Sequence, residues 1–222
     1  MEDLDPFMCP PYVGEDGIWS QQIRPFSEKK GTALFLDRDG VIVDEVNYLH
    51  RLEDIRLTKM AATVIRAANK RQIPIILITN QSGIGRGKYT WKEFALIQNA
   101  ILAELEIHEA FIDAVYACPF HESANPPWNV VNHTYRKPRP GMLLRAAEML
   151  PIRLSDSWII GDRANDLSAG KNAGLAGGIH VLSGHGNDYG ERSKALALAD
   201  EKFVVYTGAD IGVAINTLPL FS

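Results

Sequence analysis

From residue 32 onward, short runs of branched apolar residues alternate with longer segments of helical spacing. The run IPIILITN at 73–80 is continuously apolar until its polar end, which predicts a strand buried on both faces of a parallel sheet. The segments 60–71 and 90–107 carry apolar residues three and four positions apart, which predicts helices. This alternation predicts a Rossmann-type α/β fold in which a parallel sheet lies between two layers of helices.

The same patterns predict the other elements of the domain. We expect strands at 32–37, 113–119, 157–162 and 177–182, an edge strand at 202–207, and helices at 141–150, 166–174 and 209–219.

Residues 1–31 differ from the rest because they are rich in Pro and Gly and lack sustained periodicity. We expect them to form an N-terminal arm that wraps around the domain or is partly loose. Residues 32–222 are predicted to form one domain, since 46% of the chain is hydrophobic, which is enough for a sizeable core.

Charge and cysteine content limit the classes of partner and compartment. The formal net charge of -4 argues against a broad basic surface, so we expect a small solute as partner rather than nucleic acid or a membrane. The longest apolar run is far shorter than the roughly 20 residues that span a bilayer. Cys9 and Cys118 are too few for a disulfide framework, and the acidic start lacks the features of a signal peptide. We therefore expect a cytoplasmic protein, with a monomer as the starting hypothesis for its oligomeric state.

Acidic residues cluster where the predicted strands end. Asp37 and Asp39 follow one strand, and in extended backbone they would face the same crevice, about 6.6 Å apart, with Arg38 turned away. Two such anions repel by roughly 2 to 3 kcal/mol at an effective dielectric near 20, and Asp162 at another strand end adds to the repulsion. Oxygen ligands without His or thiol favour Mg²⁺, which suggests phosphate chemistry.

The residue types at these ends fit the transfer of a phosphoryl group. Asp37 ends a rigid strand and suits a nucleophile, whereas Asp39 on the following turn suits an acid and base. Thr79 and Asn80 end the next strand, and the Gly-rich stretch behind them can present backbone N–H groups. Lys137 can supply a fixed cation.

Each signal also has a structural interpretation. Asp-x-Asp favours turns, and DRDG is similar to a calcium loop, although its Gly comes too early. The stretch GDRAND could cap a helix through Asn165 or Asp166, and RKPRPGM could be an exposed loop. Four signals at successive strand ends together favour the functional interpretation. Four histidines are interpreted as surface or core residues: His50, His108, His180 and His185.

At these positions the sequence resembles the haloacid dehalogenase (HAD) superfamily of phosphotransferases. The four matching motifs are FLDRDGV, LITN, the Lys of RKP, and IIGDRAND, within roughly residues 32 to 185. More narrowly, TNQSGIGRGKYT, YACP and RKPRPGM resemble the D,D-heptose 1,7-bisphosphate phosphatases and the related histidinol-phosphate phosphatases.

The resemblance implies a role for each matching position. Asp37 would be the nucleophile, Asp39 the proton donor, and Thr79 and Lys137 would stabilise the phosphoryl group. Mg²⁺ would be held by Asp37, the Asp39 backbone and Asp162, with Arg163 next to it, while Asp166 would support Asp162 or Lys137 from behind. Substrate contacts would come from Glu45, Val46, Asn47, Tyr48, Asn80, Gln81, Ser82 and Arg136.

Spacing indicates how substrate reaches the site. The intervals from Asp37 to Thr79 and from Thr79 to Lys137 are each filled by one helix and its loops, so we expect no large cap domain. Specificity would then come from loops, principally residues 118–136.

This loop departs from the pattern of the resembling group. There, a Cys-x-His pair and a later Cys-x-Cys pair form a zinc site, whereas this chain keeps only Cys118 and has Phe120, His133 and Tyr135 at the other positions. A set of Cys118, His121 and His133 lacks a convincing fourth ligand, so we do not expect structural zinc. The alternative is that Trp128, Tyr135 and the prolines 126 and 127 pack the loop without metal.

The sequence therefore predicts a Mg²⁺-dependent phosphatase of a small phosphorylated metabolite that acts through an aspartyl-phosphate, with a heptose 1,7-bisphosphate as the first substrate hypothesis. A second hypothesis keeps the chemistry and changes the substrate to histidinol phosphate or another sugar phosphate. A third, of a different class, is a phosphometabolite-binding protein without catalysis.

Overall fold

A computed structural model describes residues 10–26 and 31–222 of the chain. The strands of this part are β1 Trp19–Gln22, β2 Leu34–Leu36, β3 Ile75–Asn80, β4 Ala114–Cys118, β5 Trp158–Gly161, β6 Gly177–Val181 and β7 Val204–Gly208. They form one sheet in the order β1-β4-β3-β2-β5-β6-β7. All neighbours are parallel except β1, which runs antiparallel to β4.

The helices of the described residues cover the sheet. They are α1 Ala61–Lys70, α2 Ser82–Gly85, α3 Trp91–Ile107, α4 Gly141–Met149, α5 Ala164–Ala173, α6 Glu191–Leu196 and α7 Ala214–Thr217, with short 3-10 turns at 52–54, 154–156, 184–187, 211–213 and 219–221. None of these helices has the length and apolar character needed to cross a bilayer.

The two faces of the sheet pack into two separate cores. Leu34 and Leu36 of β2 face a core shared with α1 and α3, whereas Phe35 between them faces a core shared with α4 and α5. This alternation follows the period of two in a strand, and both faces are apolar because helices cover both. The predicted three-layer α/β/α fold is confirmed.

The element boundaries agree with the sequence patterns to within a few residues. The largest difference is at the C-terminus, where the helix predicted at 209–219 is reduced to α7 between 3-10 turns. Strand β7 is at the edge of the sheet, as predicted.

Strand β1 was not predicted, because residues 1–31 lack periodicity. It pairs with β4 through Trp19 to Gln22, and the Trp19 side chain is buried against Trp91 and Phe94, with ring centroids 5.7 Å and 5.1 Å away. Within the predicted arm, Trp19–Gln22 therefore extends the sheet, while residues 1–9 and 27–30 lie outside the described part. The boundary between arm and domain stays a prediction.

The carboxyl ends of the parallel strands open into loops. Residues 37–60 connect β2 to α1 with one 3-10 turn at 52–54, and residues 119–140 connect β4 to α4 without a helix or strand. These two loops and α2 surround the space above the strand ends, which is where parallel sheets bind ligands.

Candidate active site

A polar cavity of about 390 Å³ lies above the carboxyl ends of the central strands. Most of the residues singled out in the sequence line it: Asp37, Asp39, Glu45, Asn47, Tyr48, Thr79, Asn80, Gln81, Ser82, Arg136, Lys137, Asp162, Arg163 and Asp166. Val46 does not line the cavity and has an exposed side chain, so its contact with substrate stays a prediction.

Lys137 is the fixed cation at the floor of this cavity. Its Nζ lies 2.8 Å from Asp37 Oδ1 and 2.6 Å from Asp166 Oδ1, and it donates to the Ile78 carbonyl at 3.0 Å. The backbone of Lys137 is held as well, because Asn80 donates to its carbonyl and accepts from its N–H, both at 3.1 Å. The position of this ammonium group is therefore set by β3 as well as by the carboxylates.

Three buried carboxylates converge around this lysine. Asp37, Asp162 and Asp166 each offer an oxygen within 4.8 Å of the others. Burial raises the pKa of Asp37, which Lys137 opposes and the neighbouring carboxylates reinforce. Burial also raises the pKa of Asp162, and repulsion from Asp166 and Asp37 adds to it. One lysine does not balance this charge, so the cluster favours a further cation.

The free oxygens of the cluster indicate which residues would hold that cation. Asp166 is engaged on both oxygens, by Lys137 and by the Arg163 N–H at 2.9 Å. Asp37 uses Oδ1 for Lys137 and the Arg38 N–H, and Asp162 uses Oδ2 for the His185 N–H at 2.8 Å. Within the described residues, Asp37 Oδ2 and Asp162 Oδ1 remain without a hydrogen-bond partner. These hard oxygens fit Mg²⁺. Asp166 instead holds Lys137 in place through their salt bridge.

Two glycines make room beside Asp162. Gly40 has φ of 78° and Gly184 has φ of 56°, and a β-carbon at either position would collide with the Asp162 carboxylate. Both the left-handed backbone and the close approach require glycine here.

Asp39 is held by neighbours that the sequence did not identify. Arg38 Nε and Nη2 each donate to one carboxylate oxygen of Asp39 at 3.0 Å, and the Arg38 guanidinium lies over the Phe94 ring. The expectation that Arg38 turns away was wrong. Strand β2 ends at Leu36, so the alternation of a strand does not extend through residue 39.

Gln81 has a buried side chain with every hydrogen-bonding group in use. Its Nε2 donates to Asp39 Oδ2 at 3.0 Å and to Thr79 Oγ1 at 2.6 Å, while its Oε1 accepts from Arg38 and from the Tyr89 hydroxyl. An amide has two donor hydrogens and two acceptor sites, so no side-chain group is left for a ligand. The geometry assigns Gln81 to orienting Asp39 and Thr79.

Arg86, His121 and Arg136 line another part of the cavity, which we call the cationic wall. Arg86 Nη2 contacts His121 Nε2 at 3.1 Å, and Arg86 Nη1 donates to the Tyr48 hydroxyl at 2.6 Å. Arg136 Nη1 donates to the Phe120 carbonyl at 3.1 Å. Burial lowers the pKa of His121, and repulsion from Arg136 and Arg86 lowers it further. This repulsion makes the wall a favourable position for an anion.

Several lining residues were missed by sequence reasoning. Arg38, Arg86, Tyr89 and His121 belong to the cavity, and so does His185, to which the sequence assigns no role in the site. The position of His185 just beyond the carboxyl end of β6 was a usable signal, since the other site residues follow strands in the same way.

The 118–136 loop is packed by aromatic rings. Phe120 stacks on His133 with ring centroids 3.6 Å apart and an interplanar angle of 10°, and it meets Trp128 edge-on at 5.2 Å. Tyr135 contacts His133 at 5.9 Å. Trp128 and Tyr135 therefore take part in the packing of this loop.

Known proteins are similar to this chain in sequence and in fold. Residues 11–174 match the family of haloacid dehalogenase-like hydrolases. A D-glycero-beta-D-manno-heptose-1,7-bisphosphate 7-phosphatase of Mesorhizobium japonicum is 41% identical over 74% of this chain and 76% of its own. The structure of a HAD-like phosphatase candidate from Mesorhizobium loti, at 34% identity, has a TM-score of 0.83 over 95% of both chains.

A second solved structure carries ligands. The D,D-heptose 1,7-bisphosphate phosphatase of B. bronchiseptica, complexed with magnesium and phosphate, is 25% identical, with a TM-score of 0.70 over 85% of this chain and 98% of its own. Together with the family match over most of the chain, these similarities establish the membership that the strand-end motifs indicated. The chain belongs to the haloacid dehalogenase-like hydrolases.

Proposed function

We propose that this chain is a Mg²⁺-dependent phosphatase that removes the 7-phosphate of a D-glycero-D-manno-heptose 1,7-bisphosphate. The observation that carries the proposal is a cavity lined by two sets of charged side chains. One set contains Asp37 with a free carboxylate oxygen, and the other is the cationic wall of Arg86, His121 and Arg136.

The carboxylate side suits the chemistry of a phosphate monoester. Asp37 Oδ2 attacks phosphorus, the bond between phosphorus and the sugar oxygen breaks, and Asp39 gives its proton to the departing alcohol. Asp39 then takes a proton from water, which attacks the aspartyl-phosphate and releases inorganic phosphate and the Asp37 carboxylate. Lys137 and Thr79 face the same space and stabilise charge on the phosphoryl oxygens.

A metal site beside Asp37 would support this chemistry by neutralising negative charge. Asp162 Oδ1 and the Asp37 carboxylate would hold Mg²⁺, with the Asp39 backbone and Arg163 beside them. When bound, the ion neutralises negative charge on the carboxylates and on the phosphoryl group.

The cationic wall supports a substrate with two phosphates. A monoester that reacts at Asp37 leaves Arg86, His121 and Arg136 without an anion, whereas a bisphosphate places its second phosphate among them. This is consistent with the names of the relatives, which act on heptose bisphosphates. We also propose a cytoplasmic location, which agrees with the cysteine content of the chain.

A panel of phosphorylated metabolites tests the proposal. The purified protein in excess Mg²⁺ is given both anomers of the heptose 1,7-bisphosphate, the heptose 7-phosphate, histidinol phosphate and fructose 1,6-bisphosphate, and released phosphate is followed. We expect the highest kcat/KM for a heptose bisphosphate, with phosphorus NMR detecting heptose 1-phosphate as product. A preference for histidinol phosphate would favour the second hypothesis, and binding without turnover of any ester would favour the third.

A further inference from the structure

Two aromatic residues of the 118–136 loop are adjacent in sequence to two residues of the cationic wall. Phe120 precedes His121, and Tyr135 precedes Arg136, so both wall residues are attached to members of the aromatic cluster Phe120–Trp128–His133–Tyr135. Whatever fixes this cluster therefore also fixes where the His121 and Arg136 side chains enter the cavity.

The N-terminal segment 10–26 packs against the same cluster. Gly17, with φ of 74°, lies against the Trp128 ring so closely that a β-carbon would collide with it. Ile18 is fully buried in the core that contains Phe120, with Trp128 and Tyr135 packed around it.

Arg145 of α4 joins this segment to the end of the loop. Its Nη2 donates to the Asp16 carboxylate and, at 2.5 Å, to the Tyr135 hydroxyl, while Nη1 donates to Ser20 Oγ at 3.3 Å. The guanidinium also lies 4.2 Å from the centre of the Tyr135 ring. One side chain thus connects the segment, a helix and the residue that precedes Arg136.

Lys137 does not depend on this connection. Its backbone is held by Asn80 and its ammonium group by Ile78, Asp37 and Asp166. A disturbance that begins at Tyr135 is therefore expected to reach Arg136 and to stop before the groups that carry out the chemistry.

We infer that the N-terminal segment is a positioning element of the active site, which acts through Asp16, Arg145 and Tyr135 to hold Arg136 and the cationic wall in place for the second phosphate of the substrate. This inference rests on the proposed function. Asp16, Arg145 and Tyr135 are positioning residues, because they act through the loop and do not line the cavity.

The test uses Asp16→Asn and Tyr135→Phe, which remove a charge and one hydroxyl group from the connection. Arg24→Ala is the matched control, because Arg24 also joins the segment to the domain, through Asp113 at 3.3 Å, but at the amino end of β4. Each variant is assayed with heptose bisphosphate and with p-nitrophenyl phosphate, which has no second phosphate.

Both test variants should raise KM for the bisphosphate about fivefold to tenfold and leave kcat and the small ester within about twofold. Asp16→Glu should restore KM, and Arg24→Ala should leave it unchanged. Amide hydrogen exchange should become faster at 129–136 in the test variants and stay unchanged in β3. Equal losses with both substrates, or an unchanged KM for the bisphosphate, would overturn the inference.

The two proposals fail in different ways. A wild-type protein that hydrolyses no phosphate ester would contradict the proposed function, and the positioning role would then be decided by hydrogen exchange at 129–136. Unchanged exchange in both test variants would contradict the positioning role on its own.

Discussion

Lys137 Nζ lies 2.8 Å from Asp37 Oδ1, and the same ammonium group contacts Asp166 at 2.6 Å. The lysine thus contacts one oxygen of the proposed nucleophile and leaves the other, Oδ2, available to attack phosphorus. Because the ammonium group is also bound to the Ile78 carbonyl, it keeps its place when the charge of Asp37 changes.

Asp37→Asn should therefore abolish turnover while the fold is retained. An amide is a poor nucleophile, so kcat for p-nitrophenyl phosphate should fall by about a thousandfold or more. The measurement is phosphate release in excess Mg²⁺, with circular dichroism to check folding. Asp44→Asn is the matched control, since Asp44 is exposed and does not line the cavity, and it should keep full activity. Turnover by Asp37→Asn within tenfold of wild type would contradict a covalent role.

The placement of Asp37, Thr79 and Asp162 followed from sequence because parallel strands end at one edge of a sheet. That argument places the ends of elements and does not place side chains beyond them. It therefore failed for Arg38, whose side chain folds back onto Asp39 after β2 has ended. It also gave no information about β1, which forms because a neighbouring edge strand is available and because Trp19 can pack on α3.

Gln81 illustrates a second reason why sequence was insufficient. Its motif indicated a substrate contact, but burial and four hydrogen bonds determine that its side chain contacts other side chains. Only the three-dimensional arrangement reveals that these partners occupy every donor and acceptor.

Asp162→Asn should raise the stability of the metal-free protein and weaken its binding of Mg²⁺. The buried carboxylate is repelled by Asp166 and Asp37, so its removal should stabilise the metal-free protein by about 1 kcal/mol, while the amide oxygen still accepts from His185. Mg²⁺ at about 100 times its Kd should stabilise wild type by about 2.7 kcal/mol and the variant by much less. Thermal unfolding with EDTA and with Mg²⁺ measures both effects. Asp156→Asn, an exposed carboxylate, is the control and should respond to Mg²⁺ as wild type does.

Gln81→Met should lower both kcat and stability. Without the amide, Asp39, Thr79 and the Tyr89 hydroxyl each lose a partner, which should cost about 1 to 3 kcal/mol of unfolding free energy. We expect kcat to fall about tenfold to a hundredfold with a small change in KM, because the proton-transfer group is misoriented. Urea unfolding and steady-state kinetics measure the two effects.

Gln98→Met provides the matched comparison for this variant. Gln98 is equally buried in α3, but neither its amide nitrogen Nε2 nor its amide oxygen Oε1 has a hydrogen-bond partner among the described residues. Its replacement should leave kcat unchanged and maintain or raise stability. Similar losses in both glutamine variants would show that the kinetic effect of Gln81→Met is not specific to the network around Asp39.

His121 should make binding of the second phosphate depend on pH. Burial, together with Arg136 and Arg86, lowers the pKa of His121 below its ordinary value of 6.5, so the free protein carries it neutral at pH 7. A phosphate beside the ring favours the protonated form and raises that pKa, so binding takes up a proton and should tighten as pH falls from about 7.5 to about 6.

In His121→Gln this additional tightening should disappear. The substrate phosphate also titrates near pH 6, but it does so equally with both proteins, and the difference between them isolates His121. KM for the bisphosphate across this range is the measurement, and His108→Gln, at an exposed helix end, is the control that should follow wild type. Parallel pH profiles for wild type and His121→Gln would remove His121 from the recognition of the second phosphate.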